Sequence, residues 1–254
     1  MKVIKISRFL VLSVCLTPLF AYSQQTYQLQ HNNIQPEKTI NKSTGQQDAN
    51  VFVGCVEYSV SYEVVPTEDI ERRNRAQFAA TENKKSYGDE RTICYNANGD
   101  WLHIYGNAEI VDRIWYFADS NEEYTFFKTG ILKFTLNDTS EPDGLTGLAI
   151  KEFTRTDETK ELLGFDTVKV TAEKESGILY NYWVSEKLVR NPSSYKNNKF
   201  GYADKLYSAV QGIPLREESI VSDILITARE AVDIQEGEPN EELFKLPAVD
   251  LYHW

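Results

Sequence analysis

The chain has 254 residues, 41% of them hydrophobic, and 27 Lys and Arg against 38 Asp and Glu, a net charge of −11. Such a surface repels nucleic acid, so a role on DNA or RNA is not expected. The basic pairs Arg72-Arg73 and Lys84-Lys85 are short and interleaved with acids, which leaves no polybasic membrane-surface motif.

The chain opens with Lys2, Lys5 and Arg8, then an apolar run over 9–20, then the small-residue site Ala21-Tyr22-Ser23. This pattern predicts a signal peptide over 1–23 and export to the periplasm; secretion or association with the outer membrane stays open. The run falls short of the roughly 20 apolar residues that span a bilayer, so the chain is not expected to be membrane-spanning. Cys15 follows Val14 inside the run, which argues against a lipidation site. Cleavage leaves 24 Lys and Arg against 38 Asp and Glu, a net charge of −14. Residues 24–50 are rich in Gln, Asn, Thr and Ser and read as a flexible leader. Residues 51–254 then form a single domain.

Val56, Tyr58, Val60, Tyr62 and Val64 alternate with polar residues, the period of a half-buried strand that Pro66 ends. Thr67 is placed to cap a surface helix over 67–85, with Ile70, Ala76, Phe78 and Ala79 as its packing stripe and Gly88 beyond its end. Strands over 91–95 and 101–105 flank a hairpin turn over 96–100. Further strands fit 110–117, 123–127 and 131–136, with Gly130 and the cluster over 137–144 as punctuation. Three more fit 149–156, 167–172 and 178–184, the first two separated by Asp157-Glu158. A short helix is expected around 203–210, then strands over 214–219, 223–229 and 231–235, and one helical turn over 238–244. The predicted fold is mainly β (α+β): one long antiparallel sheet with two or three small helices.

Cys55 and Cys94 remain after cleavage, each in a strand-like run. In an oxidising compartment they form either a cross-strand disulfide or two buried thiols. No metal, cofactor or catalytic motif is present: His31, His103 and His253 have no partner in an HExxH or GxSxG pattern. The acidic pairs Glu122-Glu123, Asp157-Glu158, Glu217-Glu218 and Glu241-Glu242 read as solvated surface, because neighbours on a strand point to opposite faces. Fifteen Tyr, twelve Phe and four Trp concentrate in strands. They either pack the sheet or line an apolar face that receives a lipid, acyl chain or peptide. On the latter reading Ile110, Ile114, Tyr116, Tyr180, Tyr182, Ile224 and Ile226 are the ligand-binding candidates.

The run Thr159-Lys-Glu-Leu-Leu-Gly-Phe-Asp-Thr-Val-Lys-Val170, then Tyr180-Asn-Tyr-Trp-Val-Ser-Glu-Lys-Leu188, then Gly212-Ile-Pro-Leu-Arg-Glu-Glu218 resembles the lipoprotein-carrier-like (Lol-type) half-barrel superfamily. More narrowly, it is similar to exported members of that group in Gram-negative bacteria. The resemblance covers about residues 145–247. It implies an open half-barrel whose helices form a lid, binding a lipid or the acyl chain of a lipoprotein in its concavity, with no catalysis. Gly164, Trp183, Gly212 and Pro214 carry it as turn and packing residues. Two alternatives stand beside this reading. One is an envelope-protein partner docked on a sheet edge or on the 67–85 helix; the other is an enzyme built around His103, Asp112 and Arg113.

Overall fold

The computed structural model describes residues 51–135, 150–198, 203–247 and 251–253. The predicted signal peptide, the leader and the turn cluster at 137–144 lie outside them. The first half of the sheet holds β1 (Gly54–Val64), β2 (Glu90–Tyr95), β3 (Trp101–Gly106), β4 (Val111–Phe117), β5 (Glu122–Phe127) and β6 (Gly130–Thr135). The second half holds β7 (Ile150–Leu162), β8 (Phe165–Lys174), β9 (Leu179–Val189), β10 (Gly212–Val221) and β11 (Leu225–Glu236), and β12 (Leu251–His253) follows. Two helices, α1 (Ile70–Tyr87) and α2 (Ala203–Ala209), and 3-10 turns at Pro192–Ser194 and Glu241–Phe244 complete the described elements.

All twelve strands join one open sheet in the order β12-β6-β5-β4-β3-β2-β1-β11-β10-β9-β8-β7. Pairing is antiparallel throughout except for β12, which runs parallel to β6. The chain lays down β1 to β6 outward from the centre, then β7 to β11 inward from the far edge, so β11 pairs with β1. This is the open antiparallel half-barrel that the Lol-type resemblance implies. Irregular registers in β1–β11, β4–β5, β7–β8 and β9–β10 supply the bending, because an extra residue on one strand curls it relative to its partner.

Several elements differ from the sequence reading, each for a local reason. Asp157-Glu158 is a bulge rather than a turn: Arg155 pairs with Val170 and Thr159 with Val168, so three residues oppose one and β7 runs on to Leu162. The turn lies at Leu163-Gly164, both at positive φ. The expected strands over 223–229 and 231–235 are one strand, with Val232 as its unpaired bulge residue, 54% exposed. The cap of α1 is Asp69, which accepts from Arg72 N at 3.0 Å, while Thr67 accepts from Asp69 N. The helix faces the sheet with the small residues Ala76, Ala80, Asn83 and Ser86, leaving Ile70 62% and Phe78 57% exposed. Tyr62, Val64 and Ile224 already fill the space beneath, so only small helical side chains fit.

The edge strand β7 carries Glu152, Arg155, Asp157, Glu158, Lys160 and Glu161, a density of charge that opposes strand addition there. Cys55 and Cys94 face each other across β1–β2 and are bonded, with an S–S distance of 2.07 Å.

Candidate functional site

Directly opposed residues of an antiparallel ladder share a face, so register locates the inside of the sheet. Val64 and Tyr62 contact α1, and Val60 and Tyr58 continue their face along β1. From Val60 a row runs to Arg229 on β11, Glu217 on β10, Tyr182 on β9 and Val170 on β8. Tyr182 and Val170 in turn contact Leu206 and Val210 at α2. Both helices therefore cover the same, concave face. The convex face is covered separately: Leu102, Trp115, Tyr124 and Ile131 pack beneath Leu243, Phe244 and Leu246, and Trp115 donates to Leu243 O at 2.8 Å.

The connection from β9 to β10 crosses the concavity in two parts. Its first part, residues 191–198, is tied to the β2–β5 end by hydrogen bonds. Trp101 Nε1 donates to Ser194 O at 3.3 Å, Asn121 Nδ2 to Asn197 O at 2.8 Å, Asn191 Nδ2 to Ala97 O at 3.1 Å and Ser193 Oγ to Asn98 O at 3.1 Å. Gly99 is required there, since a Cβ would lie 1.9 Å from Ser193 Oγ and φ is +87°. Under this part Trp101 stacks on Tyr116 at 5.4 Å. Glu123, opposite Tyr116, is 1% exposed, and burial pushes its carboxyl up to about 8. The second part is α2, whose Leu206, together with Val210 just past the helix end, sits on Val170, Ala172, Tyr180, Tyr182 and Val184. A small cavity beneath it is lined by Lys174, Tyr180, Tyr182, Leu206, Tyr207, Val210, Pro214, Glu217 and Arg229. Its free space is about 10 Å³, room for one water.

Between the two roofed ends lies a buried polar centre. Arg91, Arg190 and Arg229 are 3%, 6% and 5% exposed, and Glu217 is 2% exposed. Arg229 Nη2 donates to Glu217 Oε2 at 2.6 Å. Four phenols surround them: the guanidinium carbons lie 3.9 Å from the ring centre of Tyr105 (Arg91), 5.2 Å from Tyr58 (Arg229), and 5.6 and 4.2 Å from Tyr95 and Tyr207 (Arg190). Tyr58 donates to Pro214 O at 3.0 Å. Burial pushes the Glu217 carboxyl up, against the pull of Arg229, Arg91 and Arg190. Burial likewise disfavours charge on Arg229, but Glu217 and then the surrounding tyrosines outweigh it and hold the guanidinium charged. His103 is driven well below the usual imidazole range by burial first and then by Arg229, Arg91 and Arg190, so it is neutral.

The sequence-derived ligand candidates fall in different places. Ile114, Tyr116, Tyr180 and Tyr182 are buried on the concave face, Tyr116 under residues 191–198 with Ile114 in the same core, and the two tyrosines of β9 under α2. Ile110 is 41% exposed, because the register shift in β4 hands its inward position to Val111. Ile224 lies in the β10–β11 turn beside α1, and Ile226, between the inward Leu225 and Thr227, faces outward. Arg113 pairs with Ile104 on the convex side while His103 faces inward, so the enzyme-like grouping of His103, Asp112 and Arg113 does not assemble. Glu217 and Glu123 are corrections to the solvated reading of the acidic pairs. In these two strand pairs one member points inward, as alternation requires, and inward here means buried, while Asp157-Glu158 and Glu241-Glu242 are exposed as expected. The arginine cluster was missed by sequence reading, although Arg91 and Arg229 both occupy the inward phase of their strands.

Among the described residues no His, Cys, Asp and Glu group could hold a metal ion, and no helix is long and apolar enough to cross a membrane. No family model matches the chain, and no curated protein matches it in sequence. Solved structures give distant likenesses. PNGF-II is 11% identical at a TM-score of 0.43, covering 79% of this chain, which spans about 31% of that protein's length. A LolA superfamily protein from Nitrosomonas europaea is 7% identical at a TM-score of 0.32, covering 79% of this chain and 92% of its own. A DUF1329 family protein from Desulfovibrio piger is 7% identical at a TM-score of 0.29, covering 78% and 91%. At these scores the likenesses carry no argument about function.

Proposed function

We propose that this protein is a non-enzymatic, exported binding protein that holds a hydrophobic ligand, a lipid or the acyl chain of a lipoprotein, on its concave face beneath α2. The observation that supports the reading is the construction of that end. Val170, Ala172, Tyr180, Tyr182 and Val184 form an apolar floor whose cover is the seven-residue α2, with Leu206, and Val210 just past its end. With room for only one water beneath it, the site opens by displacement of α2, and the ligand takes the place of those two side chains. Apolar contact of this kind contributes roughly 25 cal/mol per Å² removed from water. Tyr116, which donates to Ser193 O in the hydrogen-bonded part of the roof, and Ile114 in the same core are outside the trough.

The test is mass spectrometry of organic extracts of the purified native protein, with titration of a fluorescent acyl probe into the delipidated form. A co-purifying lipid and a probe competed away by it are expected. A lipid-free protein that also ignores the probe overturns the reading.

A further inference from the structure

We infer that Arg91, Arg190 and Arg229 form a receptor for one anionic group, a carboxylate or phosphate, so that the ligand is an amphiphile with its acidic head at the sheet centre and its chain beneath α2. The part about the chain rests on the proposed function; the part about the anion stands on the arginines themselves.

Glu217 lies within the electrostatic reach of all three guanidinium groups but hydrogen-bonds only Arg229 among the described residues. Nε of Arg91, Nε of Arg190, and both Nε and Nη1 of Arg229 are buried without a hydrogen-bond partner among the described residues. A buried guanidinium with unmatched donors is costly; the rings of Tyr58, Tyr95, Tyr105 and Tyr207 answer the charge, and Arg190 Nη2 reaches the Tyr95 hydroxyl at 3.4 Å, but the three Nε atoms and Arg229 Nη1 stay unmatched among the described residues. The planar fork of arginine fits the oxygens of a carboxylate or phosphate.

The centre is also reached from the proposed binding trough. Arg229 and Glu217 form part of the wall of the cavity under α2, as does Tyr207, over which Arg190 lies. Lys174 stands on the same wall and is 3% exposed. The apolar floor and the cationic centre are thus continuous: Tyr182 is the direct neighbour of Glu217, and Glu217 of Arg229.

Calorimetric titration of the full, delipidated chain with oleate and with oleyl alcohol, both below their micellar concentrations, separates head from tail. Acetate and inorganic phosphate serve as tail-free anions, read by thermal shift. Oleate is expected to bind roughly tenfold to a hundredfold tighter than the alcohol, the range of charge-assisted hydrogen bonds. Arg91→Gln is expected to remove most of that preference while leaving alcohol binding in place; Arg91 is chosen because it has no bond to Glu217 to break. Equal binding of acid and alcohol by the wild type overturns the receptor and leaves the hydrophobic reading standing. A preference unchanged in a folded Arg91→Gln variant overturns its assignment to this cluster. Stabilisation by phosphate or acetate with no binding of either amphiphile supports the receptor and sinks the hydrophobic reading. No response to any of the four probes sinks both.

Discussion

The two parts of the β9–β10 connection roof the same concave face by different means. Residues 191–198 are laced to β2–β5 through side-chain bonds from Trp101, Asn121, Asn191 and Ser193. α2 meets β8 and β9 through Leu206, with Val210 just past its end, and its Tyr207 lies under the guanidinium of Arg190. Directional bonds to a packed aromatic layer fix one geometry, whereas the mainly apolar contact of α2 with its floor can be replaced by another apolar surface. One end of the half-barrel is therefore built as a permanent core and the other as a replaceable one, and each end can be tested separately.

The largest expected effect is at the fixed end. Glu123 is protonated in the fold, its carboxyl raised to about 8 by burial, against an ordinary value of 4.5. A raised folded value means that its contribution to stability is fully present below the unfolded value and is lost as pH rises towards the folded one. Between pH 4.5 and 8 the wild type should lose roughly 5 kcal/mol relative to Glu123→Gln, measured by urea unfolding across that range. Parallel pH profiles would mean that solvent reaches Glu123 and that this end is not sealed.

Next in size is the covalent tie at the sheet centre. Cys55 and Cys94 are 39 residues apart, and replacing both with Ala should cost about 4 kcal/mol through the freer unfolded chain. Ligand titrations on that variant should match those of the wild type, because the trough lies across β8–β10. A variant that stays as stable but loses binding would place the ligand at the fixed end instead.

The smallest effect on global stability is expected at α2. In Leu206→Ala, hydrogen exchange at the α2 amides should quicken at least tenfold, while the global unfolding free energy changes by less than about 1 kcal/mol, because the lost packing falls on a local opening. A loss of about 2–5 kcal/mol in global stability, the usual range for Leu to Ala in a core, would show α2 to be part of the permanent core and not a lid.

Much of this fold was legible in local sequence. Alternation gave β1, and the Asn and Gly residues over 96–100 gave the β2–β3 hairpin, each from a few neighbouring side chains, whereas the turn at Gly164 was marked only by the Lol-type resemblance. The same alternation misled where a bulge intervened. Ile110 follows the phase of Ile114 and Tyr116 on paper, but the shifted register of β4 puts Val111 inside. Asp157-Glu158 looks like a turn because a three-residue bulge and a turn draw on the same polar residues. For the candidate site, Tyr180 and Tyr182 were legible from their aromatic alternation, while Arg91, Arg190, Arg229 and Glu217 were not. Arg91, Arg229 and Glu217 sit in the inward phase of their strands, but charged strand residues are ordinarily solvated and phase alone does not tell which face is closed to water; Arg190 lies just past β9, where no alternation applies.

The sequence alone determined the strand-rich architecture, the acidic surface and the alternation that assigns each residue to one of two faces, because these depend on near neighbours and on counting. Only the tertiary structure decided which face is inside, and with it the nature of the interior. Val60, Arg229, Glu217 and Tyr182 come from four strands, and pairing across more than 150 residues of chain sets them in one row. A guanidinium becomes a buried donor only when its neighbours across the sheet and the roof above exclude water, and those neighbours are distant in sequence.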